Sequence, residues 1–339
     1  MGLGGVKALK ALFFVGGFVL NLSAADPLQV SQDLHIHGDY RGAESVLREG
    51  LKSESDNQRR AAILNSLGDL LREQDRSAEA CLLFHEVLDL PGISWRSRFA
   101  ALMGIADLDR QDRLWVRSAS EWNEVIALAV SNGDVVCESY GIRGLGEMWL
   151  DQGDYARAEP LLKRALALIE ANQSATVDRI SVALDSLATL YRAEDKTSMA
   201  EELWQRELKM VRGLFGDYHP QTGLVLAHLA EVSAKDGDFS RARDYSRQVI
   251  SIMTGHFAAD SMPVAAAFIN SAMVEERARA FEASASFYAK ALDILRASGH
   301  PPAASGDIAK MYADVLSQLH RKREAKQVVA EFSAFRAAK

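Results

Sequence analysis

The sequence predicts an all-α protein, a right-handed α-solenoid of about eight helix-turn-helix repeats. Three observations carry that prediction. Eight times a small residue is followed 12 positions later by another, in pairs recurring every 37 to 42 residues: Ser31 and Ala43, Gly68 and Ala80, Ala106 and Ser118, Gly146 and Ala158, Ala188 and Ala200, Ala230 and Ala242, Ala272 and Ser284, Ala313 and Ala325. Self-similarity at such a period signals stacked units, none of which buries its apolar face alone. Within the clearest unit apolar residues recur at i, i+4 and i+7, one stripe of a helix. Finally, 7 prolines in 339 residues leave helices free to run. Such an array grows linearly, so one continuous solenoid is simpler than two domains.

Residues 1–25 read as a secretory signal peptide. Lys7 and Lys10 supply the positive region, Ala11 to Leu22 the apolar core, and Ser23, Ala24 and Ala25 the small residues before a cleavage that leaves Asp26 first. The apolar run is too short to span a bilayer and is broken by Gly16 and Gly17, although an uncleaved anchor is the rival reading. The solenoid then covers 26–339, with repeats starting near 26, 61, 99, 139, 181, 223, 265 and 306.

Repeat 1 turns at Gly38-Asp39-Tyr40 before Ala43, and repeat 2 carries Gly68-Asp69-Leu70-Leu71 on its first helix. Repeat 3 has Arg113 where the turn glycine belongs. Repeat 4 is the clearest unit: Glu138 to Gln152 form one helix, Gly153 and Asp154 the turn, and Tyr155 to Glu170 the second helix, striped by Ala158, Leu162 and Ala165. Gly146 and Ala158 are small because the helices approach closely where they cross, and a glycine in the turn suits a helix end that needs positive φ. Repeat 5 continues with Ala188-Thr189-Leu190-Tyr191, and repeat 6 turns at Gly237-Asp238-Phe239. Repeats 7 and 8 replace the turn glycine by Arg279 and His320, and Lys322 replaces the turn aromatic of repeat 8.

A glycine, an aromatic and two alanines at these spacings resemble the tetratricopeptide repeat family, over residues 26 to 336. The 42-residue spacing of repeats 4 to 7 and the linker Phe215-Gly216-Asp217-Tyr218-His219-Pro220 are similar to the longer repeats of kinesin light chains. Ser298-Gly299-His300-Pro301 echoes that linker, and Gly255-His256 keeps its histidine only. The resemblance implies a scaffold whose first helices line a concave groove for a protein or peptide. By register the groove positions are Asn65, Asp69 and Arg72 in repeat 2, Arg143 and Glu147 in repeat 4, Asp185 and Arg192 in repeat 5, and Glu231 and Lys235 in repeat 6. Ile269 and Met273 occupy them in repeat 7, as an apolar pocket. Their rival role is solvation of an exposed face. The basic cluster with which some members clamp a C-terminal carboxylate is missing, and for its nearest candidates, Arg143 and Arg192, Glu147 and Asp185 would compete.

Catalytic patterns are missing from the sequence. His35 and His37 stand about 200° apart on a helix, too far to share an ion, and no metal or cofactor is expected. There is neither a GxSxG elbow nor a phosphate loop, and Gly141, Gly144 and Gly146 fall in GxxGxG order inside a helix, where close packing explains them. Cys81 and Cys137 lie in non-adjacent repeats and are expected to be unpaired. The 39 basic and 46 acidic residues give −7, against nucleic acid or anionic lipid as partner. Asn172-Gln173-Ser174 is a glycosylation sequon that matters only in a eukaryotic secretory pathway. Together these features point to a non-enzymatic, exported scaffold, periplasmic or secreted, that binds a protein or peptide. The alternative is a structural protein self-associating through Val328, Val329, Phe332 and Phe335 of its last helix; a hydrolase framed by the solenoid lacks any residue constellation.

Overall fold

The computed structural model describes residues 14–15, 18–19, 26–36, 38–173, 175–297 and 305–337. The expected signal peptide thus lies outside the described residues, save for Phe14–Val15 pairing with Phe18–Val19; so do His37, Ser174 of the sequon and the 298–301 linker. All other described elements are helices, sixteen of them in eight hairpins: α1 (Pro27–Ile36) with α2 (Tyr40–Ser53), α3 (Asn57–Glu73) with α4 (Ser77–Asp89), α5 (Trp95–Gln111) with α6 (Trp115–Ser131), and α7 (Val135–Asp151) with α8 (Tyr155–Ala171). The second half pairs α9 (Val177–Ala193) with α10 (Thr197–Phe215), α11 (Pro220–Lys235) with α12 (Phe239–His256), α13 (Met262–Arg277) with α14 (Phe281–Ala297), and α15 (Ser305–Gln318) with α16 (Lys322–Ala337). Among the described residues no helix is long and apolar enough to cross a membrane.

The first helices of repeats 2 to 5 begin four residues before the expected starts, at 57, 95, 135 and 177. The linkers supply the reason for three of them. Asp56 accepts the Arg59 amide at 2.8 Å, Ser94 that of Ser97 at 3.2 Å and Asp134 that of Cys137 at 3.0 Å. Each satisfies an amide that a starting helix leaves without a partner. Glycine-aspartate pairs divide two tasks at the turns: Gly153 (φ 82°) and Gly237 (φ 84°) take the left-handed conformation, and Asp154 and Asp238 cap the helix that follows. Arg113, Arg279 and His320 adopt the same conformation without glycine, at φ 60°, 57° and 61°. Hydrogen bonds of the turn hold them there, Leu114 N to Asp109 O and Ala280 N to Glu275 O at 2.8 Å and Arg321 N to Leu316 O at 2.9 Å. Repeats 3, 7 and 8 therefore turn as the others do. In the 215–220 linker, Gly216 (φ 89°) ends α10, and His219 caps α11 through the Gln221 amide at 3.2 Å while stacking on Phe215.

Most successive first helices touch directly, α3 with α5 and α11 with α13 for example, while contacts of that extent are not made between successive second helices. The first helices thus line the inner, concave side. Six of the second helices send one large side chain against the first helices as a wedge, four residues after their small residue: Leu47, Phe84, Trp122, Leu162, Trp204 and Tyr288, all at most 1% exposed. These wedges touch glycines directly. A Cβ on Gly104 would stand 2.4 Å from Phe84, and one on Gly144 would stand 2.3 Å from Trp122. Gly141 meets Ile126 and Gly146 meets Leu162 in the same way, so the three glycines of α7 are contact points between helices. Burial of each wedge contributes roughly 1.5–3 kcal/mol, at a seam that neighbouring repeats share.

The last helix departs from expectation. Phe332 is 3% exposed, packed in a cluster with Leu295, Ala309 and Leu316, under the Arg296 guanidinium 5.6 Å from its ring centre. Val328 and Val329 pack against the same cluster, and the Phe335 side chain lies outside the described residues. The surface expected for self-association is therefore core at Phe332. Cys81 and Cys137 are free thiols, and burial pushes Cys137 up to about 11, leaving little thiolate. Most unusual in the interior is Glu207 on α10, 4% exposed. Ser181 donates to one of its oxygens at 2.5 Å and the other has no partner. Burial, reinforced by the Asp185 charge, pushes its carboxyl up to about 8.

Candidate interaction groove

The charged residues expected in the groove lie on the first helices, and most of them pair with one another. Asn65 is buried and donates to the Ser97 carbonyl of the next repeat at 3.0 Å. Arg72 reaches both Asp69 of its own helix and Asp107 of α5, at 3.4 Å. Asp107 also receives Arg110 at 3.2 Å, and Arg110 goes on to Asp151 of α7. Arg143 pairs with Glu147, which accepts the Ser186 hydroxyl of α9 at 2.6 Å. Arg192 meets Glu231 of α11 at 2.9 Å, and Lys235 returns to Asp195 at the end of α9. The result is a polar ladder running across the first helices of repeats 2 to 6.

Asp185 has a different task from the one expected. It accepts the Trp204 indole N–H at 2.8 Å and lies 3.4 Å from His228 Nε2. The His228 ring stacks on Trp204, centroids 4.9 Å apart and planes 6° apart. A groove carboxylate thus anchors a wedge from beneath. Asp107 and Arg110 join the ladder without being among the expected groove residues; they sit in the register of Asp69 and Arg72 one repeat along, a signal that the departures of repeat 3 obscure.

The ladder changes character toward repeat 7. Val182 on α9, Leu224 on α11 and Met273 on α13 are 44%, 52% and 38% exposed, an apolar stripe on three successive first helices. Leu224 and Met273 open a pocket of about 170 Å3 with Ala227, His228, Asn270 and Val274, rimmed by Glu231 and Arg277. Ile269, expected beside Met273, is half-buried against the core instead. The pocket is comparable with a cavity of roughly 150 Å3 known to hold benzene, enough for an aliphatic side chain. Among the described residues no group of three or more histidines, cysteines or carboxylates could hold a metal ion.

A family model described as tetratricopeptide repeat matches residues 178–254, and another of the same description matches 60–90 and 142–171. No curated protein matches the chain in sequence. Among solved structures, BtubC (BKLC) from P. vanneervenii is 19% identical, with 67% of this chain and 91% of that one covered at a TM-score of 0.56. A Podosopora anserina putative kinesin light chain with nearly identical TPR-like repeats is 14% identical, covering 60% of this chain and 96% of that one at 0.50. The quorum sensor NprR from B. thuringiensis, in its apo form, is 13% identical and covers 89% of this chain and 95% of that one at 0.51. At these identities the likeness is one of fold.

Proposed function

From a chain that carries tetratricopeptide repeats, we propose a scaffold that binds an extended protein or peptide segment in its concave groove, anchored by an aliphatic side chain between repeats 6 and 7. The observation that carries this reading is the apolar stripe of Val182, Leu224 and Met273 at the end of a ladder whose charges are already paired. An exposed apolar patch rimmed by polar groups is a common mark of an interaction site, and paired charges offer a ligand orientation rather than strong attraction. Self-association through the last helix loses its motive with Phe332 in the core.

Selection from a library of random peptides tests the reading. The enriched peptides share one aliphatic residue, and Leu224→Glu or Met273→Glu weakens them at least about tenfold, whereas Val116→Glu, at an exposed site on α6, leaves them unchanged. Failure to enrich any sequence, or equal binding to all variants, would overturn it. The same proposal places the scaffold outside the cytoplasm and assigns it no catalysis. Support for the location is the charged, apolar and small-residue order of residues 1–25. N-terminal sequencing of the exported fraction tests the first point: Asp26 is expected, and Met1 on a cytosolic protein would refute it.

A further inference from the structure

Two register positions are filled by apolar residues in every repeat but one. The wedge of the second helix is Ser246 in repeat 6, where the other repeats place leucine, valine or an aromatic ring. The residue just before the small residue of the first helix is Ser271 in repeat 7, where repeats 2, 5 and 6 have Leu67, Leu187 and Leu229. Both departures meet at one place. Ser246 and Ser271 line a single cavity of about 390 Å3 between α12, α13 and α14.

The cavity has a definite chemistry. Ser246 is 7% exposed and its hydroxyl has no partner, a cost for any buried polar group. Ser271, 2% exposed, gives its proton to the Ala267 carbonyl at 2.9 Å and keeps lone pairs to accept. Ile250, Val274 and Phe287 supply apolar wall. The charges at the mouth cancel in pairs: the Arg243 guanidinium forks onto Glu275 at 2.7 and 2.8 Å, and Arg247 pairs with Asp244. Neither an anion nor a cation is favoured there. A mere packing defect would leave one void; two serines facing the same void, one with its hydroxyl unused, make a recognisable site.

We propose that this cavity binds a small uncharged aromatic molecule carrying one hydroxyl or N–H group, seated where the wedge is missing. The homologous space in repeats 2, 3, 5 and 7 holds the rings of Phe84, Trp122, Trp204 and Tyr288, all fully buried. A free ring in repeat 6 reproduces their packing, and Ser246 completes its hydrogen bonding. The volume falls within the roughly 300–1,000 Å3 of ligand pockets. Ser271 and Glu275 lie on a different face of α13 from Asn270 and Met273, and the two sites share only Val274 as a common wall, so the proposal does not depend on the function of the groove.

The test uses the full chain labelled at isoleucine methyl groups and titrated with p-cresol and with toluene. The Ile250 methyl shifts saturably while that of Ile63, buried in repeat 2, does not, and p-cresol binds about tenfold tighter than toluene. Ser246→Leu, which installs the residue of repeats 1 and 4, abolishes the shift, and Ser271→Leu does so from the opposite wall. Ser246→Ala keeps toluene and loses the preference for p-cresol. No saturable shift at Ile250, or undiminished p-cresol binding in the leucine variant that folds, would overturn the proposal.

Discussion

Replacing Glu207 by glutamine turns a buried proton into a measurable slope. In the folded chain this carboxyl sits near pKa 8, against an ordinary 4.5. Between these values the native state holds a proton that the unfolded state has released. Stability from the neutral carboxyl is therefore fully present below pH 4.5, declines as pH rises through the interval, and levels off above 8. Each pKa unit corresponds to about 1.4 kcal/mol, so by pH 7 the loss is about 3 kcal/mol. Glutamine keeps the shape and an acceptor for Ser181 but carries no proton to lose. The variant should match the native protein near pH 4.5 and exceed it by about 3 kcal/mol at pH 7. Urea titrations across this range measure the gap, and hydrogen exchange in α9 and α10 locates it, because repeats open locally. Other carboxylates bend both curves alike and cancel in the difference. A gap that stays constant from pH 5 to 8 would refute a neutral Glu207.

Three further outcomes follow from the packing. Arg279→Gly, at a turn with φ 57°, stabilises the chain by about 1 kcal/mol because glycine meets no penalty there, measured as a shift in urea midpoint at unchanged slope. Gly144→Ala brings a Cβ to 2.3 Å from Trp122 and destabilises by about 1–3 kcal/mol; Trp122→Leu in the same chain relieves part of that loss, which a thermal melt of the double variant checks. A double-mutant cycle on Arg192 and Glu231, each 35% exposed, returns less than about 1 kcal/mol of coupling and shrinks with added salt.

The architecture was legible in the sequence because its signal is steric: the small residues mark helix crossings, and Ala43, Ala80, Ala158, Ala200 and Ala242 are all buried to within 1%. The non-glycine turns were harder, since three hydrogen bonds across each turn hold Arg113, Arg279 and His320 in a conformation their side chains disfavour. Register places the groove candidates on the first helices, yet it does not reveal what they touch. Arg192 and Glu231 stand 39 residues apart in the chain, and pairing at that range depends on how repeats stack. Phe332 shows the same limit: an apolar residue near a chain end looks exposed until the preceding helices and Arg296 are seen to cover it.

The serine at the sixth wedge also has a mechanical meaning. In an array whose members grip only their neighbours, cooperativity is set seam by seam, and the seam with the least grip decides where the chain first comes apart. Ser246 removes from the boundary between repeats 6 and 7 the inserted side chain that other repeats place there, so that boundary relies on the packing of α13 against both α11 and α12. The grip between those two repeats is thus spread along helix faces instead of being concentrated in one inserted ring.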